Sequence, residues 1–567
     1  MKEYRPSFLK INFFLLISAF LWAFYVTSWI TEDAFISFRV IDNLINGHGP
    51  RWNIDERVQV FTHPLWMFLL LPITMLFGDP YWAAIGLSAA CLLFFLAVAL
   101  RILDGINFFS LVILLCFLSS RAFIDFSSSG LENPLTHVLL AVFFLAWKFN
   151  KKNYFILFLL FSFLYLNRPD SVIFAAAPLI YLIHSDFCTQ KKFELRHNLC
   201  LAALGLIPMV CWLLFSFIYY GAFFPNTAIA KVQNGLSILE SAKQTWGLIN
   251  YSIRNDPGTV AFIAIGVCFG FFDRKYLSFS FGILLYFIYL FYVGGDYMAG
   301  RFLTAPLVVS LLIIGSTIPR IIASNRNYKY YALVLALVFL ATKAEAHFFL
   351  KNYDGSYIDE NGIADERSFY YQNLGVRPTL LHGTWLRHDF LREGMNLRRQ
   401  NEKYFIKCNI GMTPYAAGAK YVFIDPLALS DGFIARLPAA VGGRVGHYER
   451  SLPAGYLESR ISYKNMMDDP ALRRLWDDTH IVFRGEIFTK ERFLALFRLN
   501  FRKELYSLKI KDRSNIIFNG AVYKKTKNTC LGQKADVTID ASKMQIIKKQ
   551  TYSFKEPSPT QRPPEFE

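Results

Sequence analysis

Long apolar runs alternate with short polar segments through most of the chain. A run of about 20 residues with few charges is long enough to cross a bilayer as a helix. The first run, "INFFLLISAFLWAFYVTSWI" at 11–30, lacks a small-residue cleavage site, so we interpret it as a retained span rather than a signal peptide. The pattern predicts eleven spans, at 11–30, 80–103, 106–120, 133–149, 153–167, 171–184, 198–220, 257–272, 276–293, 304–320 and 330–346.

The segment 64–78, "PLWMFLLLPITMLFG", is ambiguous. It contains Pro72 and ends at Gly78, so we predict a helix lying at the membrane interface. The distribution of charge among the loops supports a topology in which 64–78 does not cross the membrane. With the N-terminus inside, the basic segments "KFNKKN", "QKKFELRH", "DRK" and "PRIIASNRNYK" all fall on the inner side, as the positive-inside rule expects.

Five polar segments then fall together on the opposite, outer side. They are "TEDAFISFR", "SSSGLENP", "NRPD", "FFPNTAIAK" and "GGDYMAGRF". Ionisable groups at a membrane boundary are costly to keep and are often functional. Their grouping predicts a site at the outer face of the membrane.

The composition changes after residue 346, where apolar runs shorten and Gly, Pro, Asp and Arg become frequent. We predict a transmembrane catalytic module at 1–346, a soluble mixed α/β domain on the outer side at 347–530, and a disordered tail at 531–567. Cys408 and Cys530 lie in this polar region, and an outer compartment permits a disulfide between them.

The net charge of +17 also fits nucleic-acid binding, but no nucleic-acid motif is present and the inner-side loops account for the basic balance. The chain contains no P-loop, GxSxG or HExxH motif, and its histidines show no metal-ligand spacing. We therefore interpret His63 as a hydrogen-bonding residue and expect no metal ligands.

Glu32 and Asp33 directly follow the first predicted span. One interpretation is structural, because Thr31 is a residue type that caps helices and acids in the first turn complement the helix dipole. The other is a catalytic pair. Arg39 lies seven residues after Glu32, on nearly the same helix face, so it would orient Glu32, meet an anionic ligand, or form a weak surface pair.

Glu132 and Asn133 begin another predicted span. They are either an acidic helix start or a second wall of the same cavity. Arg168 and Asp170 flank a proline that stiffens their turn, and the arginine either anchors at the interface or takes part in the site.

The segment "GGDYMAGRFL" combines backbone freedom with charge. Two glycines allow the chain to bend closely around a ligand, and Asp296 and Arg301 follow before a span. An arginine there would bind a phosphate group through two parallel hydrogen bonds. The alternative is a flexible loop with an internal ion pair.

Taken together, an acidic pair after the first span, many spans and an outer C-terminal domain resemble the GT-C superfamily of glycosyltransferases. The segments "EDAFISFRVIDNLINGHGPRWN", "ERVQVFTHPLW", "SSGLENPL", "NRPD", "GGDYMAGRFL", "YVFIDPLALSDGFIARLP" and "RVGHYERSLPAGY" are similar to the terminal arabinofuranosyltransferases of mycobacterial arabinogalactan synthesis and their bacterial relatives. The resemblance runs from about residue 10 to about residue 500.

The resemblance implies a multi-pass enzyme of the bacterial inner membrane with a cytoplasmic N-terminus and a periplasmic C-terminal domain. Its donor would be a decaprenyl- or polyprenyl-phosphate arabinofuranose. Its acceptor would be an envelope glycan or a surface glycoprotein, with membrane lipid around it and no nucleic acid.

The resemblance also assigns the catalytic base to Asp33, with Glu32 beside it. Many relatives have two aspartates at these positions, so Glu32 is a departure. A carboxylate can take the proton that an attacking hydroxyl loses. We expect no obligatory cofactor, leaving a divalent cation open. The predicted substrate-binding residues are Arg39, His63, Glu132, Asn133, Arg168, Asp170, Asp296 and Arg301.

Two other functions use the same features. A transporter or lipid flippase would also place charges near the membrane, but it predicts inverted repeats and broken helices at mid-depth. The sequence shows no repeat, and its polar residues lie at one face. A structural assembly protein would leave the grouped polar loops unexplained.

Overall fold

A computed structural model describes residues 6–150, 152–189, 192–232, 236–324, 357–400, 402–439, 446–450, 452–506, 515–518, 521–524, 535–540 and 545–551. The predicted span at 330–346 lies outside the described residues. Every other predicted span overlaps a helix. The helices of this part are Pro6–Thr27, Ala34–Ile45, Pro64–Phe77, Pro80–Ile102, Phe108–Ser119, Arg121–Asp125, Asn133–Asn150, Tyr154–Asn167, Val172–Thr189, Lys192–Tyr220, Asn226–Val232, Ile238–Asn255, Pro257–Phe272, Leu277–Val293 and Thr304–Ser324.

Fewer helices than expected meet the length of a full membrane crossing. Within the described ranges, four stretches are long and apolar enough: Pro80–Ile102, Pro169–Thr189, Phe193–Tyr220 and Arg301–Arg320. A bent helix pair adds a fifth if it counts as one span. The predicted number of eleven spans is therefore not confirmed. Pro64–Phe77 is one of several shorter apolar helices, and its position at the interface stays a prediction.

The helix Ile238–Asn255 was not expected from the sequence. Ser237 and Glu240 form a capping box at its start, and Asp256 separates it from Pro257–Phe272, to which it is inclined by 110°. Its small polar side packs against Leu277–Val293, where the Thr245 hydroxyl donates to the carbonyl of Leu290 at 2.8 Å. The helix thus lies against the loop that follows Val293.

The C-terminal region combines helices with small sheets. Its helices are Glu366–Leu374, Val376–His382, Asp389–Leu397, Met412–Ala417, Tyr456–Ser462, Pro470–Arg484 and Lys490–Phe501. Its strands are β1 (Tyr404–Ile406), β2 (Val422–Ile424), β3 (Asn515–Phe518), β4 (Ala521–Lys524), β5 (Ala535–Asp540) and β6 (Gln545–Thr551). One sheet has the order β2-β1-β5-β6 with β1 parallel to β2, and β3 pairs with β4.

Strands β5 and β6 lie within 531–567, the segment predicted to be a disordered tail. β5 pairs with β1 through Tyr404 and Ile539, and β6 pairs with β5. Composition alone missed these strands because their partner, β1, lies far away in the sequence. The other residues of 531–567 are outside the described part.

The prediction that Cys408 forms a disulfide is confirmed. Cys408 is disulfide-bonded. Cys530 lies outside the described residues, so the pairing itself stays a prediction. The other cysteines are free: Cys91, Cys116, Cys188, Cys200, Cys211 and Cys268.

Arg39 joins the helix Ala34–Ile45 to the C-terminal region. Its guanidinium donates to the carbonyls of Trp52 at 2.8 Å, Tyr421 at 2.8 Å and Gly418 at 3.2 Å, and also to that of Pro414. It is buried and lies over the ring of Trp52, 4.9 Å from its centroid. The expected contact with Glu32 or an anionic ligand is therefore replaced by a structural role, because backbone carbonyls surround this guanidinium.

We expect Arg39→Lys to lower the free energy of unfolding by about 1–3 kcal/mol, since an ammonium cannot reach all four carbonyls and leaves buried acceptors unpaired. Thermal unfolding in detergent would measure this. Arg392→Lys, at an exposed arginine, is the matched control. Wild-type stability of Arg39→Lys would contradict the structural role.

A second set of buried contacts joins the loop after the helix Ala34–Ile45 to the C-terminal region. Arg460 donates to Asp55 and, at 2.8 Å, to Glu56, while Arg484 donates to Glu56 at 2.7 Å. Charges on both sides are paired, as burial requires. The C-terminal region is thereby held over the loop that connects Ala34–Ile45 with Pro64–Phe77.

Candidate functional site

The acidic pair lies between the helices Pro6–Thr27 and Ala34–Ile45. Asp33 occupies the N-cap position, but its side chain makes no capping hydrogen bond. Thr31 lies two residues before this position, and its hydroxyl donates to Glu366 Oε2 at 2.8 Å. The predicted cap by Thr31 is therefore wrong, whereas the acids at the helix start can still complement the helix dipole.

Glu32 is buried against the C-terminal region. Its Oε1 accepts hydrogen bonds from the backbone N–H groups of Gly411 at 2.6 Å and Met412 at 3.2 Å. A Cβ at position 411 would lie 2.1 Å from the Glu32 carbonyl oxygen, so the approach requires glycine. Burial, with repulsion from Asp33 added, raises the pKa of Glu32 to about 8. Burial therefore favours the protonated form of Glu32 at neutral pH.

Asp33 is only half-buried. Its Oδ2 accepts a hydrogen bond from the Tyr297 hydroxyl at 3.2 Å, and its Oδ1 has no hydrogen-bond partner among the described residues. The Tyr297 ring in turn meets the ring of His447 edge-on, with centroids 4.6 Å apart. A carboxylate held on one side and open on the other can accept a proton from a bound molecule.

A second carboxylate, Glu132, lies at the centre of the cationic part of the site. Arg301 Nη2 contacts both of its oxygens, at 3.1 and 3.3 Å, and Arg168 Nη1 contacts Oε1 at 3.4 Å. His63 Nδ1 lies 3.3 Å from Oε2. Burial alone would raise the pKa of Glu132, but Arg301, His63 and Arg168 together lower it to about 2. Glu132 is therefore a fixed anion that holds two arginines.

Arg168 has a second acidic partner. Its Nε donates to both oxygens of Asp170, at 2.8 and 3.1 Å, and Asp170 also accepts from the Tyr286 hydroxyl at 3.2 Å. The guanidinium stacks over the Phe302 ring, 4.2 Å from its centroid. These contacts leave Arg168 with less freedom to meet a ligand than Arg301.

Asn133 fixes the backbone at Arg301. Its Nδ2 donates to the carbonyl of Arg301 at 3.3 Å and to Thr304 Oγ1 at 3.1 Å. The residue therefore sets the start of the helix Thr304–Ser324, and with it the position of the arginine. Asn133 thus lies beside Arg301, and its place in a wall of a substrate cavity stays a prediction.

His63 connects Glu132 with Ser37 on the helix Ala34–Ile45. Its Nε2 lies 2.8 Å from Ser37 Oγ, and its Nδ1 faces Glu132. The order serine, histidine, acid is that of a catalytic triad, but Ser37 is buried and Glu132 is shared with the arginines. We interpret the chain as a link that positions the helix bearing Asp33 relative to the arginines.

Asp296 contacts the backbone of Tyr297 and interacts electrostatically with Arg301 and Lys231. Its Oδ1 accepts from the backbone N–H of Tyr297 at 2.9 Å, and its buried Oδ2 has no partner among the described residues. Burial raises the pKa of Asp296, opposed by Arg301 and Lys231. Gly294, two residues before Asp296, has a φ of 86°, in the left-handed region that favours glycine. The loop thus turns sharply before the site.

The structure brings together almost every predicted site residue. One cluster, held by hydrogen bonds and ion pairs and joined by electrostatic interactions, contains Glu32, Asp33, His63, Glu132, Asn133, Arg168, Asp170, Asp296 and Arg301. Arg39 lies apart from it. In the described ranges no group of three or more His, Cys, Asp or Glu side chains is arranged to hold a metal ion.

Sequence reasoning missed several members of this site. Tyr297 and Lys231 belong to two of the predicted polar segments, but neither is among the predicted site residues. Ser37 also lies in a predicted polar segment, "TEDAFISFR", but, like His447, it is recognisable only by the side chain that it meets. His447 comes from a segment noted only for its resemblance, and it lies 150 positions from Tyr297 in the sequence.

No family model matches this chain. It is 24% identical over 458 residues to a protein of Mycobacterium tuberculosis named terminal beta-(1->2)-arabinofuranosyltransferase, an alignment covering 66% of this chain and 68% of that protein. A Corynebacterium glutamicum protein of the same name is 24% identical over 553 residues, covering 78% and 76%. The similarity confirms the predicted resemblance and supports a glycosyltransferase. The mostly helical structure with several apolar helices fits a polytopic membrane glycosyltransferase.

Proposed function

We propose that the protein transfers arabinofuranose from a polyprenyl-phosphate donor to a hydroxyl group of an envelope glycan or surface-glycoprotein acceptor. The reaction takes place on the outer side of the bacterial inner membrane. The names of the two relatives support the sugar and the reaction class. The observation that carries the mechanism is the contrast between Glu32 and Asp33, two adjacent acids with different surroundings.

Different surroundings give the two acids different roles. Glu32 is buried, holds two backbone N–H groups and keeps its proton, so it positions the loop. Asp33 is half-buried, and among the described residues only its Oδ2 accepts a hydrogen bond. An acceptor hydroxyl must lose its proton as the new carbon–oxygen bond forms, and Asp33 is the base that takes it.

The donor phosphate requires cations where its charge increases as the sugar leaves. Arg301 is the stronger candidate, since its buried Nε has no partner among the described residues while its Nη2 is held by Glu132. Lys231 is half-buried and acts electrostatically on Asp296. We assign these two residues to the phosphate and Arg168 to support of Glu132.

Arg301→Lys tests the phosphate contact. We expect kcat/KM for the donor to fall by about 10–100-fold, because lysine keeps the charge but loses the planar fork of donors. Kinetics with a synthetic polyprenyl-phosphate arabinose in detergent would measure it. Arg320→Lys is the matched control, at an arginine that pairs with Asp273 at the other end of the candidate span Arg301–Arg320. Donor kinetics equal to wild type would remove Arg301 from the phosphate site.

The function itself is tested by supplying purified protein with labelled polyprenyl-phosphate arabinose and an oligosaccharide acceptor. We expect label to appear in the oligosaccharide. In proteoliposomes, movement of the lipid-linked sugar between leaflets without any transfer would instead support the flippase alternative.

A further inference from the structure

The helix Lys490–Phe501 exposes a large apolar surface in a region predicted to be soluble. Its inner side is buried through Arg492, Ala495, Leu496 and Leu499. Its outer side, together with Phe488 two residues before the helix, consists of side chains that are between 45% and 80% exposed. These are Phe488, Phe493, Leu494, Phe497 and Phe501, which we call the aromatic face.

The aromatic face is continuous along the helix. Phe493, Phe497 and Phe501 are spaced four residues apart and so lie on one side, and the rings of Phe497 and Phe501 are in contact, with centroids 5.4 Å apart. Soluble surfaces seldom expose this much contiguous apolar area unless it contacts something. A partner for this face is therefore required.

The position of the helix identifies that partner. Its Asn500 Nδ2 donates to the carbonyl of Gly221 at 3.0 Å, and Arg492 Nη2 donates to that of Tyr219 at 3.2 Å. These carbonyls lie where the candidate membrane span Phe193–Tyr220 ends. A Cβ on Gly221 would lie 2.3 Å from Val482, so the packing at this end is close.

The span itself continues the apolar surface. Leu214 and Phe215, within the last two turns before Tyr220, are also exposed apolar side chains on a helix suited to lipid contact. The aromatic face thus belongs to a helix whose other side packs against the end of this candidate span. Aromatic side chains on an amphipathic helix are typical of insertion into the membrane interface.

We propose that the aromatic face is inserted into the outer leaflet of the bilayer, so that Lys490–Phe501 is an interfacial membrane helix. The occupant of the face is membrane lipid. The C-terminal region is then held at the membrane by its own side chains as well as by its contacts with the loops. The inference is independent of the proposed sugar transfer.

The test uses the full-length protein in lipid nanodiscs that contain a phospholipid with a photoactivatable diazirine in its acyl chain. After irradiation, mass spectrometry locates the labelled residues. We expect labelling of 488–501 comparable with that of Leu214 and Phe215. It should exceed labelling of the exposed Arg473 and Arg474 by roughly tenfold or more, since burial of one Phe is favoured by at least that factor.

A variant makes the test specific. Phe497→Asp places a charge in the aromatic face and should reduce labelling of the whole segment, because a charge is costly among acyl chains. Met466→Asp changes an exposed apolar residue outside the face and should leave labelling unchanged. Absence of label from 488–501 while Leu214 and Phe215 are labelled, or cross-links between two protein copies in its place, would overturn the proposal.

Discussion

Asp33→Asn is expected to yield a protein that folds and inserts normally but has lost about 10²–10⁴-fold of its transfer rate, the usual contribution of a general base. The amide keeps the size of the side chain and can still accept the hydrogen bond from Tyr297. It cannot take the proton of the acceptor hydroxyl. The measurement is the rate of transfer from a synthetic polyprenyl-phosphate arabinose in detergent.

Glu32→Gln is the matched control for this loss. Its amide oxygen can still accept from the N–H groups of Gly411 and Met412, so the loop keeps its position and transfer falls less than in Asp33→Asn. Thermal unfolding of both variants establishes that they are folded. Near-normal transfer by Asp33→Asn, or a greater loss in Glu32→Gln, would assign the base to another group.

Glu132→Gln is expected to destabilise the protein by about 3–5 kcal/mol, the cost of leaving a buried charge without its partner. Glu132 contacts Arg301 and Arg168. A neutral amide would leave the buried Arg301 without the carboxylate that it contacts, while Arg168 would keep Asp170. Transfer should fall as well, since both arginines lose the anion that positions them. Thermal unfolding in detergent measures the first effect, and Glu491→Gln, at an exposed acid, is the control.

The pH dependence of stability checks the same prediction. The folded-state pKa of Glu132 is about 2, below its usual 4.5, so its stabilising contribution is present above the usual value. That contribution is lost as the pH falls from 4.5 towards 2. Glu132→Gln should lack this part of the acid destabilisation. Equal stability of wild type and variant at pH 7 would show that Glu132 is not the required partner of the arginines.

The sequence by itself determined where the apolar helices lie. Runs such as 80–103, 257–272 and 276–293 agree with the helices to within a residue or so, because an apolar stretch of this length is stable only when it is helical and buried in lipid or protein. It also located the polar segments that form the site, since charged residues next to spans are few and easily recognised. The resemblance to arabinofuranosyltransferases rested on those same segments.

The tertiary structure alone distinguished residues that look alike in the sequence. Glu32 and Asp33 are adjacent acids, and only the N–H groups of Gly411 and Met412 bury one of them. Arg39 had the spacing of a ligand-binding residue, but distant backbone carbonyls surround it. The aromatic face is visible as such only because the other side of its helix packs against the end of a span. Helix formation depends on nearby residues, whereas burial, charge and hydrogen-bond partners are set by residues hundreds of positions away, which no local pattern records.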